Sequence, residues 1–171
     1  MRDPLPSSEA GVCMAERIPM TPRGYKKLQQ ELHRLKTEVR PAAIRDIEAA
    51  RAHGDISENA EYDAAKERQA QLEARIAQVD DRLARAQVID PSGQTPDVVR
   101  FGATVVLADV QNAEHKTYTI VGEDEADVSN GLISVTSPVA RALLGKAVDA
   151  EVQVSVPKGI REFEILEIRY D

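Results

Sequence analysis

From residue 21 onward the apolar side chains Tyr25, Leu28, Leu32, Leu35, Val39 and Ala42 recur at alternating steps of three and four, the spacing of a coiled-coil seam. Thr21 followed by Pro22 predicts the start of that helix, because the threonine oxygen can cap it and a proline at the first helical position has no N–H to lose. Pro41 removes the hydrogen bond to the Thr37 carbonyl, so a kink is expected there, with the apolar set resuming in a shifted phase at Ile44 and Ile47. A second seam runs through Ala65, Leu72, Ile76, Val79, Leu83 and Ala86. Matched stripes predict helices that pair, and the short connection at residues 53–57 requires an antiparallel hairpin. At about 1.5 Å per residue, the stretch from Thr21 to His53 would make an arm about 48 Å long. A coiled coil between two chains is the alternative that the stripes alone leave open.

Past Asp90 the helical period stops. A Pro/Ser/Gly/Gln/Thr/Pro stretch at residues 91–97 precedes alternating, strand-like sequence at 104–107, 117–121 and 150–156, and Pro157, Lys158 and Gly159 turn the last of these into a strand over 161–170. In that final strand Phe163 and Ile165 share one phase while Leu166, Ile168 and Tyr170 take the other, which predicts a β-bulge near Ile165. Between strands, Ser137 and Pro138 start a short helix, VARALL, that Gly145 stops. The expected class is therefore α+β in two domains: a coiled-coil hairpin over 18–90 with its tip at 54–61, a linker at 91–98, and an antiparallel sheet with one short helix over 99–171. Residues 1–17 read as a disordered or mis-assigned extension, with Met14 or Met20 as alternative starts.

Composition narrows the class. With 42% hydrophobic and 30% charged side chains, the chain suits compact soluble domains, and no apolar run approaches the roughly 18 residues of a membrane span. The single Cys13 cannot form an internal disulfide, which fits a reducing cytoplasm. A formal charge of −7 argues against binding nucleic acid through its phosphates. The acidity is uneven: residues 20–90 hold 13 Lys and Arg against 13 Asp and Glu, whereas 91–171 hold 7 against 13. The second half is either simply an acidic surface or one that faces a basic protein.

The hairpin tip, GDISENAEYDAAKERQ, carries the candidate chemistry. Gly54 permits a sharp turn, and Asp55, Glu58, Glu61 and Asp63 crowd just after it. Asp55 and Glu58 have capping-box spacing, and acids favour the first turn of a helix, so capping is the ordinary reading. Yet two exposed carboxylates about 6 Å apart repel by only about 0.7 kcal/mol in water, so both remain available to a cation. Mg²⁺ wants near-octahedral oxygen ligation and retains its waters when offered one or two carboxylates. The tip thus has the character of half a metal site whose other half must come from a partner that a thin arm can enter.

The segments IPMTPRGYKKLQQELHRLKTEVRP, GDISENAEYDAAKERQ, VRFGATVVL, IVGEDEAD, LISVTSPVARALLGK and EFEILEIRY, in that order over residues 18–171, resemble the successive motifs of the Gre family of bacterial transcript cleavage factors, on its GreA-like side. The resemblance implies an FKBP-like second domain and a coiled coil that enters the secondary channel of bacterial RNA polymerase when the nascent RNA 3′ end has slipped backward. It also implies that Asp55 and Glu58 hold a weakly bound second Mg²⁺, shared with the polymerase, and orient the water that cuts the RNA. No stand-alone activity and no tightly bound cofactor would follow, and DNA would be met only within the elongation complex. The protein is expected to be a cytoplasmic monomer. Ser57, Asn59 and Tyr62 match the family's tip motif and are expected to hold the turn and contact polymerase, with helix capping by Ser57 equally open.

In the second domain no catalytic set is apparent, and docking outside the polymerase channel is what the resemblance implies, with Ser137, Pro138 and the acidic loop 123–127 as candidate contacts. Ser137 and Pro138 could equally do no more than start a helix. The arm's basic residues Arg23, Lys26, Lys27, Arg34, Arg40, Arg45 and Arg51 could guide RNA or be a solvated face. The family's glycine before Asp149 is Val148 here, which puts that turn in doubt. Two rivals remain: occupation of the same channel without cleavage, which the intact acidic pair opposes, and a prolyl isomerase with a chaperone arm. Against the isomerase stands the scarcity of aromatic side chains, Phe101, Tyr118, Phe163 and Tyr170.

Overall fold

A computed structural model describes residues 16–52, 56–111, 113–156 and 159–170, with the side chains of 56–59 and 156 outside the description. The chain opens with β1 (Ile18–Met20), followed by α1 (Pro22–Arg34), a π-helical turn at Leu35–Val39, α2 (Arg40–Ala52), α3 (Ile56–Ala84) and β2 (Ala86–Val88). Thr21 caps α1 as expected, its hydroxyl oxygen accepting from the Gly24 N–H at 3.0 Å. Pro41 does not end the helix. The wide turn just before it lets the Arg40 N–H reach back to the Leu35 carbonyl, and this register change carries the chain past the residue that lacks a donor.

The two helical stripes face each other within the chain. Near the base Arg75 binds Glu31 at 2.7 Å and Lys36 binds Asp80 at 2.8 Å, and farther out Arg40 binds Glu73 at 2.6 Å and Arg51 reaches Tyr62 at 3.2 Å, the order of an antiparallel pair. The seam itself buries Leu28, Ile47, Ala65, Ile76 and Val79, as its period requires. Ile44, expected in the seam, is 41% exposed. A pair of helices covers a single line on each, and after the π-helical turn Ile47 occupies that line while Ile44 flanks it.

Periodicity did not reveal β1 and β2. They pair in parallel, Ile18 beside Ala86 and Met20 beside Val88, and tie the two ends of the hairpin together. Met20 drops into a cluster with Leu28 and Val79, around which Tyr25, Leu32, Leu35 and Leu83 pack.

The second half forms β3 (Thr104–Asp109), β4 (His115–Val121), β5 (Leu132–Ser134), α4 (Pro138–Leu143), β6 (Glu151–Val156) and β7 (Gly159–Arg169), with the sheet ordered β5-β4-β3-β7-β6. All pairs are antiparallel except β4 with the short β5, which makes the sheet mixed. β5 was not evident beforehand, because three residues show too little alternation. The bulge falls at Leu166: Val106 pairs with Glu167 and Leu107 with Ile165, so the intervening leucine is extra and Ile168 returns to the buried face with Phe163 and Ile165. Leu107, Ile120, Leu143, Val154 and Ile165 form the centre of this core. The turn at Val148 forms without a glycine there because Asp149, a residue type that tolerates it, takes the left-handed conformation at φ 65°. Pro157 and Lys158, expected to turn β6 into β7, lie outside the described residues.

Candidate functional site: the hairpin tip and the joint at its base

The tip is carried at the end of the arm farthest from the sheet domain. α2 ends at Ala52 and α3 begins at Ile56, so three residues span the turn. Asp55 lies among them, outside the described residues together with His53 and Gly54. Ser57, Glu58 and Asn59 lie in the first turn of α3. That placement puts Glu58 where the helix N-terminus favours a carboxylate. Six residues into α3, Tyr62 accepts a hydrogen bond from the Arg51 guanidinium at 3.2 Å, and the guanidinium carbon stands 5.5 Å from its ring centre. This contact holds the Tyr62 hydroxyl below its ordinary pKa, since the phenolate would sit beside a cation, and Arg51 is held above its own.

Below this contact, small side chains keep the arm slender. Ala49, Ala50, Ala60 and Ala64 line a shallow groove of about 540 Å³ edged by Asp46 and Arg68. Of the basic residues on the first helical limb of the hairpin, Arg40 and Arg51 are tied to partners on α3. The others expected to form an RNA-guiding face include Arg23, Lys26, Lys27, Arg34 and Arg45.

At the other end, two residues of the acidic loop, Asp124 and Glu125, bind the hairpin. Glu125 receives the Thr21 N–H at 2.9 Å and also the Thr21 hydroxyl. Asp124 pairs with Arg82 of α3, which is held more firmly protonated as a result, and Glu123 accepts from the Thr136 hydroxyl. Asp127 turns back on Ser129 and Asn130, whose hydrogen bonds hold its carboxyl below the usual range. The first turn of α1 contains no acid of its own, and Glu125 supplies the negative charge from the other domain. Gly24 makes room for it, since a Cβ there would lie within 2.0 Å of the Glu125 side chain. Gly122 does the same for the backbone, where an added Cβ would meet the Pro19 carbonyl oxygen at 2.5 Å. Sequence reading missed this joint because its bonded partners are 42 and 104 residues apart. The absence of an acid after Thr21 was its single visible sign.

Ser137 caps α4, its oxygen accepting from the Ala140 N–H at 3.2 Å, with Pro138 in the first helical position. Phe163 is buried in the sheet core, and Tyr118 and Tyr170 pack against it, with the Tyr170 hydroxyl donating to the Val98 carbonyl at 2.6 Å. Three of that domain's four aromatic rings are thus committed to packing. Among the described residues no group of three or more His, Cys, Asp or Glu could hold a metal ion, and no helix is long and apolar enough to cross a membrane.

Comparison with known proteins meets this arrangement at both ends of the chain. Residues 18–88 match the description "Transcription elongation factor, N-terminal" and residues 94–170 match "Transcription elongation factor, GreA/GreB, C-term". The transcription elongation factor GreA of Trichlorobacter lovleyi is 55% identical over 92% of this chain and 100% of its own length. That of Hyphomonas neptunium is 56% identical over 91% of this chain and 99% of its own. Among solved structures, GreA factor homolog 1 (Gfh1) of Thermus thermophilus is 31% identical and covers 90% of this chain and 99% of its own, at a TM-score of 0.42. With both halves matched and relatives above one-half identity along nearly their whole length, the chain belongs to the GreA/GreB family of transcription elongation factors.

Proposed function

We propose that this protein enters the secondary channel of bacterial RNA polymerase with its helical arm and promotes cleavage of the 3′ end of backtracked RNA, presenting Asp55 and Glu58 to the polymerase active site. The observation that carries the reading is the hairpin itself: two helices of one chain, closed on each other, whose sequence puts the acidic pair at the connection between α2 and α3. A tip held on such an arm can reach a recessed site that a compact domain cannot.

Asp55 and Glu58 offer carboxylate oxygens, the donor type that Mg²⁺ prefers. Two carboxylates are too few to make a resident site, so the fit is to an ion shared with the polymerase. When bound, that ion would supply charge to activate a water and to neutralise the phosphate under attack. The tip's own part is to bring the two carboxylates to the polymerase site and orient them there. Ser57 and Asn59 would contact polymerase groups around the metal, while the sheet domain docks near the channel mouth through Ser137 and Pro138. DNA is met only through the elongation complex, the nascent RNA lies near the tip, and the catalyst is the polymerase in the bacterial cytoplasm.

Stalled, backtracked complexes carrying labelled RNA test this directly. Adding the protein with Mg²⁺ is expected to release short 3′ fragments. Asp55→Ala and Glu58→Ala should each remove that release while binding to polymerase persists. Full-rate cleavage with both variants sinks the reading, and so does hydrolysis of free RNA by the protein alone.

A further inference from the structure

We infer that Arg51 and Tyr62 form a clamp across the hairpin that positions the acidic tip, acting on cleavage through Asp55 and Glu58 and not by touching polymerase or RNA; this rests on the function proposed above. Arg51 is the second-last residue of α2, and Tyr62 stands on α3 one turn past Glu58. The guanidinium donates to the Tyr62 hydroxyl at 3.2 Å while lying 5.5 Å from the ring centre, so one planar cation grips the ring by its edge and its face. Asp55 lies four residues beyond Arg51, and Glu58 four residues before Tyr62. In sequence the two acids are thus equally close to the contact, one on each side of it.

Among the described residues the contact is set apart from the other polar links between the helices. The next hydrogen bond or ion pair linking the two helices, among the described residues, is Arg40 with Glu73, eleven residues down each helix from Arg51 and Tyr62. That leaves a span of about 16 Å of helix. Over this span the described seam buries only Ile47 and Ala65, and alanine fills little space. Packing alone therefore holds the helix ends loosely just where the spacing of the tip is set, and the clamp replaces it. Glu48, one turn before Arg51 on α2, steadies the guanidinium by its charge.

Two conservative variants separate this role from its competitors. Tyr62→Phe keeps the ring and removes the hydroxyl, while Arg51→Lys keeps the charge and removes the planar fork. Cleavage by backtracked complexes is measured with the full-length protein as a function of Mg²⁺ and, separately, of protein concentration. The half-saturating Mg²⁺ is expected to rise about tenfold in each variant, the low end of what losing outer support costs a metal site. Half-saturating protein should stay within about twofold, and the double variant should be no worse than the worse single one, because both remove one contact. Unchanged Mg²⁺ dependence in both variants overturns the clamp, as does a rise in half-saturating protein without one in Mg²⁺, the mark of direct contact with polymerase. A defect in Tyr62→Phe that Arg51→Lys lacks also overturns it, assigning Arg51 a role by charge alone. Asp55→Ala runs alongside: if it silences cleavage while the clamp variants behave as wild type, the clamp fails alone, and if it cleaves at full rate, the proposed function and the clamp fall together.

Discussion

The arm and the sheet domain are built on opposite principles although they share one chain. The sheet domain buries a continuous centre of Val105, Leu107, Ile120, Leu143, Val154 and Ile165, each 1% exposed or less. The arm buries a single line of side chains, dense only at its base, where Met20 and Val79 are enclosed, and thinning outward to Ile47 and Ala65. Ion pairs such as Arg40–Glu73 and Arg75–Glu31 flank that line, but their side chains are roughly 40% exposed, so each contributes only about 0.2–1 kcal/mol. A narrow probe cannot have a thick core. The cost of reach is local stability, and the molecule offsets it at two places, the joint with the sheet domain and the Arg51–Tyr62 contact.

Leu107→Ala should break the comparison from the sheet side with the largest effect. The side chain is fully buried on the central strand β3, so its truncation is expected to cost about 2–5 kcal/mol, read as a lowered urea midpoint by tryptophan-free methods such as circular dichroism. Helical signal surviving past the loss of the sheet would mark the two regions as separate folding units. A smaller loss is expected for Glu125→Ala at the joint. It leaves the Thr21 N–H without its acceptor and the α1 N-terminus without an acid, a change of about 1 kcal/mol together with a wider spread of arm orientations in solution scattering. An unchanged scattering profile would assign arm direction to the rest of the joint, the Asp124–Arg82 pair and the close approach of Gly122 to Pro19.

The smallest effect is a titration that contrasts the two regions through their tyrosines. Tyr62, against Arg51, should lose its proton below the ordinary tyrosine value of 10.0, whereas Tyr170, half-buried at the edge of the sheet core, should lose its proton above it. The signs differ because a nearby cation favours phenolate and burial disfavours it. Carbon-13 signals from labelled tyrosine follow both at once. Arg51→Lys, which removes the hydrogen bond that is the main cause, should bring Tyr62 back toward 10.0 and leave Tyr170 where it was. Movement of neither or of both would deny that the guanidinium sets the Tyr62 value.

Much of this was legible beforehand. The steps of three and four through Tyr25 to Leu35 and through Leu72 to Leu83 pointed to the pairing of the helices, since two matched seams in one chain complete one another, and the structure settled it against a coiled coil between chains. Thr21, Ser137 and the phase change at Leu166 stated two caps and a bulge, because each depends on neighbours within a few residues. The acidic pair at the tip was visible as a pattern, and the choice between capping and metal binding was not, because both uses require the same residues at the same spacing.

What the sequence by itself determined was therefore everything governed by local period and local capping: the hairpin, the strand-rich second half, and an acid-bearing turn at the far end of the arm. Only the tertiary structure decided the parallel pairing of β1 with β2, the turning of Glu125 and Asp124 inward onto Thr21 and Arg82, and the grip of Arg51 on Tyr62. Charges on exposed helices and loops carry no periodic signature, and whether a carboxylate meets solvent, a partner or its own chain depends on which distant segment folding brings beside it.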